Sequence, residues 1–178
     1  VDGTADNNTQ SLTMTDAQVD DLSTINANGG DNITISDTMT SDMLDGTVVN
    51  GTLELKLTEQ GATAAQALTL VQNTMDDAAD LLKVNATALT GDDTLTFDGS
   101  AETTARVSVT GGDGADSIVG SDANLVDTIS GGAGDDTIEG GVGNDNLSGG
   151  EGDDTFVYDS SAADATGDNE VIAGANHD

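Results

Sequence analysis

The chain has 178 residues, enough for one or two domains, and carries 34 acidic residues against three basic ones, for a formal net charge of −31. Such a charge repels nucleic acid and anionic membrane surfaces, so neither is expected as a partner. Cysteine is absent, aromatics are limited to Phe97, Phe156 and Tyr158, and no apolar run approaches the roughly 18–20 residues of a membrane span, which excludes disulfides, thiolate metal sites and membrane insertion by a helix.

The first predicted element is a helix. Thr15-Asp-Ala-Gln18 reads as a capping box, Val19, Leu22 and Ile25 follow at helical spacing, and Gly29-Gly30 is the expected stop. Ile33 to Ile35 and Leu53 to Leu57 alternate as strands do. A second capping signature at Thr63-Ala-Ala-Gln66 opens an expected helix to about Lys83, with Leu68, Val71, Met75, Ala79 and Leu82 on one face. That stripe is expected to pack on strands. Gly91-Asp-Asp-Thr-Leu-Thr-Phe97 resembles a worn copy of the repeats that follow, with Asp93 more a turn former than a ligand. Arg106 to Thr110 alternates as a strand.

From Gly111 the chain repeats itself. Gly111-Gly-Asp-Gly-Ala-Asp-Ser-Ile-Val119, Gly131-Gly-Ala-Gly-Asp-Asp-Thr-Ile-Glu139, Gly140-Gly-Val-Gly-Asn-Asp-Asn-Leu-Ser148 and Gly149-Gly-Glu-Gly-Asp-Asp-Thr-Phe-Val157 all read G-G-x-G-x-D-x-U-x, with U a large apolar residue. Gly120 to Ser130 is two residues longer and loses the glycine turn, but keeps Asp127 and Ile129 in phase. Three regions result: 1–89, strand-rich with two helical insertions; 90–158, the repeat roll; and 159–178, an acidic end expected to be poorly ordered.

In each nonapeptide six residues make a turn and three a short strand. Glycines at positions one, two and four let the backbone curl until its carbonyls converge: Gly111, Gly112 and Gly114; Gly131, Gly132 and Gly134; Gly140, Gly141 and Gly143; Gly149, Gly150 and Gly152. The sixth residue adds a carboxylate, giving Asp116, Asp136, Asp145 and Asp154, with Asp127 from the looser unit. Oxygens alone suit Ca²⁺, a hard cation that takes six to eight of them. One turn offers too few, so two stacked turns must share an ion. Nine residues make half a coil, so like turns meet at alternate repeats. Asp116 is expected with Asp136, Asp136 with Asp154, and Asp127 with Asp145, while Ile118, Ile129, Ile138, Leu147 and Phe156 form an apolar seam.

Eleven carboxylates and no cation lie between Gly111 and Val157. Five seam residues at about 1.5–3 kcal/mol each do not offset roughly 1 kcal/mol or more per ordered residue. Ion binding must supply the difference. The array is therefore expected to be unfolded at low calcium and folded outside the cell.

These four in-phase units resemble the repeats-in-toxin (RTX), or hemolysin-type, calcium-binding family. The resemblance implies a parallel β-roll with Ca²⁺ between its turns and type I secretion from a Gram-negative bacterium. The Thr-rich upstream segments loosely resemble surface-layer and adhesin proteins. No family export signal is recognisable in Asn169 to Asp178, and the chain opens at Val1, so a fragment or processed product is expected.

Catalysis is not expected. His177 is the only histidine, no Gly-Lys-Ser/Thr follows a glycine turn, and three aromatics cannot line a sugar cleft. The expected fold is mainly β, a parallel β-roll or β-solenoid preceded by a strand-rich region with two short helices. The expected role is a calcium-binding structural segment of a secreted surface protein (surface layer, adhesin or extracellular filament) that self-associates. The alternative is the export and folding module of a secreted hydrolase or toxin.

Overall fold

Leu53, Leu55 and Leu57 alternate with Thr52, Glu54 and Lys56, and the strand they form buries the leucines fully while the polar residues stay half-exposed. The same period of two recurs through the computed structural model, which describes residues 11–14, 24–35, 48–58, 65–69, 75, 77–158 and 171–173. The strands are β1 (Ser11–Met14), β2 (Thr24–Ile35), β3 (Val48–Leu57), β4 (Ala65–Thr69), β5 (Leu81–Asn85), β6 (Thr94–Asp98), β7 (Arg106–Thr110), β8 (Ser117–Val119), β9 (Thr128–Ala133), β10 (Thr137–Glu139), β11 (Asn146–Glu151), β12 (Thr155–Val157) and β13 (Val171–Ala173).

They form two sheets, ordered β1-β2-β3-β5-β7-β9-β11-β13 and β12-β10-β8-β6-β4, and every pairing is parallel. From β3 onward successive strands alternate between the sheets, so the chain winds as a β-solenoid. The sheets continue across residue 89 without a break.

The core lies between the sheets. On one side Leu55, Val84, Val109, Ile129 and Leu147 stack in register. On the other Leu68, Phe97, Ile118, Ile138 and Phe156 do the same. Burial of each such side chain contributes about 1.5–3 kcal/mol. Upstream a second inward row runs beside each seam: Leu53, Leu82 and Val107 in the larger sheet, and Gln66 and Leu95 in the smaller. The coils tighten along the chain. Leu53 stacks on Leu82 and Val84 on Val109, steps of 29 and 25 residues, against 20 from Val109 to Ile129 and 18 from Ile129 to Leu147.

Neither expected helix is borne out among the described residues, where no helix occurs. Ile25, Gly29 and Gly30 belong to β2, and the glycines sit where its register with β3 shifts, between Ala27 and Asp31, so they accommodate a bulge instead of stopping a helix. Thr15 to Leu22 lie outside the described residues. In the second case Gln66 and Leu68 lie on β4 and Leu82 on β5, and pairing with neighbouring coils wins over the local pattern. Thr63 and Val71 are outside the described residues. The poorly ordered end expected at 159–178 also falls outside them, apart from β13, which pairs with β11.

Candidate metal sites

The glycine turns beginning at Gly111, Gly131 and Gly149 each lead from the larger sheet into the smaller one, ahead of β8, β10 and β12. Those beginning at Gly120 and Gly140 lead back, ahead of β9 and β11. In the larger sheet the strands run further into the turns than the nonapeptide pattern implies. Gly150 pairs with Gly132 and Glu151 with Ala133, so β9 and β11 have six residues where β10 and β12 have three.

Each glycine makes room for something different. A side chain at Gly131 would collide with the Asp136 carboxylate of the same turn, as one at Gly111 would with Asp116 and one at Gly149 with Asp154. Gly132 has φ of 122° and its Cα faces the carbonyl of Gly112 in the turn behind. Gly150 faces the Gly132 carbonyl in the same way, and Gly134, Gly143 and Gly152 approach Gly114, Leu125 and Gly134. Gly112 and Gly114 press on Leu89 and Asp93, and Gly141 on Ser121, while the carbonyl of Gly140 reaches Gly120. Backbone oxygens thus meet the next turn at every step.

The aspartates occupy the inward row that Gln66 and four apolar residues hold upstream. In the smaller sheet the row reads Gln66, Leu95, Asp116, Asp136, Asp154. In the larger it reads Leu53, Leu82, Val107, Asp127, Asp145. Leu95, not Asp93, therefore stands at the sixth position of the worn repeat. Each carboxylate accepts a backbone N–H from the coil behind: Leu95 N–H to Asp116 at 2.7 Å, Asp116 N–H to Asp136 at 2.8 Å, Asp136 N–H to Asp154 at 3.1 Å, Val107 N–H to Asp127 at 2.8 Å and Asp127 N–H to Asp145 at 2.8 Å.

The second oxygens differ. That of Asp116 accepts the Gly112 N–H at 2.8 Å, and that of Asp127 accepts the N–H and hydroxyl of Ser121 at 2.6 and 2.9 Å. Oδ2 of Asp136 is buried and accepts nothing. Burial raises the Asp136 carboxyl to about 7, with the neighbouring charges of Asp116, Asp154 and Asp135 adding to it. Burial likewise raises Asp127 to about 7, with a smaller push from Asp145, and raises Asp116 against the pull of the Leu95 and Gly112 N–H groups. Without a cation, burial thus shifts Asp116, Asp127 and Asp136 toward the protonated form.

Among the described residues no three acidic or histidine side chains gather around one point. A metal here must take most of its oxygens from the backbone, with one carboxylate from each of two stacked turns. The donor set is all oxygen, the turns bring carbonyls together, and a buried carboxylate oxygen lacks a hydrogen-bond donor. These residues fit a hard divalent cation such as Ca²⁺.

Three buried groups in this edge escaped the sequence reading. Ser121 replaces the second glycine of the loose unit and satisfies Asp127. Counted forward from Gly120 it stands at the second position, but the two-residue insertion places it six residues before Asp127 where Gly112 lies four before Asp116. Asp80 and Glu102 bind N–H groups of Gly51 and Met75 in earlier coils, and their irregular spacing gives no such signal.

Fold and turns together define a calcium-binding β-roll of stacked nonapeptides. Residues 107–124 and 125–156 match the RTX calcium-binding nonapeptide repeat, in four copies. Repeats of this kind bind calcium and are typical of proteins secreted by Gram-negative bacteria. No curated protein and no solved structure matches the chain.

Proposed function

We propose that this chain is a structural segment of a secreted bacterial surface protein whose repeat coils are locked by several Ca²⁺ ions and which then assembles with copies of itself. The observation that carries the calcium lock is the buried, donor-less Oδ2 of Asp136 in the middle of a carboxylate row. In this reading Asp116, Asp136 and Asp154 hold ions along one edge, and Asp127 and Asp145 along the other, each together with carbonyls of the glycine turns. Bound calcium supplies the positive charge that lets these carboxylates ionise inside the coil. The protein's own part is to fix their spacing by the N–H bonds between coils.

Charge supports self-association. Lys56, Lys83 and Arg106 are the only cations of the chain, and they occupy outward positions on the neighbouring strands β3, β5 and β7. Glu54, beside Lys83 in register, is bound by the Asn85 amide at 3.1 Å. Carboxylate-rich turns of another copy are the complement to this face. Edge strands offer further contacts.

Light scattering of the whole chain, on adding millimolar Ca²⁺ and then EDTA, tests the assembly. Large species that form with calcium and dissolve with EDTA are expected. A chain that stays monomeric in calcium at high concentration refutes the structural role and leaves the export and folding module.

A further inference from the structure

We propose that the coils from Val48 to Thr110 fold without calcium and serve as a platform on which the calcium coils close in chain order. The inference rests on the calcium reading of the array but concerns residues outside it.

Three independent features change together near Gly111. The first is the core. Among the described residues, fourteen of the eighteen in the buried apolar cluster precede Gly111, and Ile118, Ile129, Ile138 and Leu147 follow it. Upstream loops add Met75, Ala86, Leu89 and Ala105 to the apolar interior. The second is the inward row beside each seam. It is Leu53, Leu82 and Val107, or Gln66 and Leu95, before the change and aspartate after it. A row that is mostly apolar needs no counter-ion, and a row of carboxylates does.

The third feature is how buried carboxylates are satisfied. Glu102 is fully buried, yet Oε2 accepts the Met75 N–H at 2.9 Å and Oε1 accepts those of Thr104 and Ala105 at 2.8 and 3.1 Å. Asp80 takes the Gly51 N–H at 2.7 Å and the Asp77 N–H at 3.2 Å. Both stitch a coil to the one behind by N–H donors on every oxygen. The third buried upstream carboxylate, Asp93, keeps Oδ2 without a donor, and its backbone carbonyl lies against Gly114 of the first array turn.

The platform also ends in a template. The N–H groups of Leu95 and Val107 receive Asp116 and Asp127, the first aspartate of each row, and both of these have their second oxygen bonded within their own turn. The first array coil therefore docks with its carboxylates saturated. The next offers Asp136, whose Oδ2 has no donor. Docking on a preformed coil also removes the nucleation cost of closing the first turn pair from a glycine-rich chain.

Hydrogen exchange of the whole chain, read by peptide mass spectrometry in EDTA and in millimolar Ca²⁺, tests this. Peptides covering 81–89 and 94–110 should be protected in both conditions, and those covering 131–157 only with calcium. If both regions lack protection in EDTA and gain it together with calcium, the platform is overturned while the calcium reading stands. If 131–157 is equally protected in EDTA, the calcium reading falls and the proposal with it. Leu82→Asp, which places a charge in the upstream core, should raise the calcium midpoint for protection of 131–157 several-fold. An unchanged midpoint would overturn the template role.

Discussion

Replacing Asp136 by Asn removes one negative charge from the middle of a row whose other members, Asp116 and Asp154, sit one coil away on either side. The amide oxygen can still accept the Asp116 N–H that Oδ1 accepts at 2.8 Å, so the coil keeps its shape. What is lost is the charge on that bond and the carboxylate that two turn pairs would share. Hydrogen bonds to charged groups contribute about 1.5–3 kcal/mol against about 1 for neutral ones, so the bond alone weakens by about 1 kcal/mol. Losing a calcium ligand adds to this. Each 1.4 kcal/mol is a tenfold change in a binding constant, so the calcium midpoint for folding should rise by about tenfold or more. Asp135 is the control: it lies next in sequence but is exposed, so Asp135→Asn should move the midpoint far less. Far-UV circular dichroism during a calcium titration reads both. Equal midpoints for Asp136→Asn and the unmodified chain, or equal shifts for the two variants, would refute the reasoning.

Gly132→Ala should prevent coil closure even in saturating calcium, since φ is 122° and the new methyl would meet the Gly112 carbonyl; the expected cost exceeds about 1 kcal/mol and is read by the same titration. Leu82→Ala should cost about 2–5 kcal/mol in both EDTA and calcium, read as a lower denaturation midpoint, because its site lies in the upstream core. Acidification should act in opposite directions on the two states. Burial raises Asp127 and Asp136 to about 7 in the calcium-free coil from an ordinary 3.8, so their protonation favours that coil fully below about pH 4 and the benefit fades as pH rises through about 7. Calcium-free compaction should therefore increase from pH 8 to pH 5 while calcium affinity falls, and proton release on binding near pH 7 is measurable by calorimetry in buffers of different ionisation enthalpy. Reversing the cationic face with Lys56→Glu, Lys83→Glu and Arg106→Glu should abolish calcium-dependent light scattering without moving the folding midpoint.

The repeat array was legible because each of its constraints is local. A glycine is needed where a carboxylate or carbonyl approaches, an aspartate follows at a fixed offset, and an apolar residue comes two places later. Ile118, Ile138 and Phe156 accordingly stack in register, as do Ile129 and Leu147. Upstream the constraints are long-range. Leu68, Val71, Met75, Ala79 and Leu82 fall at helical spacing, but Leu68 faces Phe97 and Leu82 lies between Leu53 and Val107, partners 25–29 residues away that a local window does not reach. The capping signature at Thr63 to Gln66 failed for the same reason: Gln66 is a buried strand residue paired with Leu95. Asp80 and Glu102 were hidden because what defines them is an N–H donor in another coil.

Sedimentation velocity of the intact chain in EDTA and through a titration to several millimolar Ca²⁺ tests the calcium lock most directly. The account predicts an expanded 131–157 region, hence a lower sedimentation coefficient, in EDTA, and cooperative compaction as calcium binds. A sedimentation coefficient that calcium leaves unchanged would contradict it.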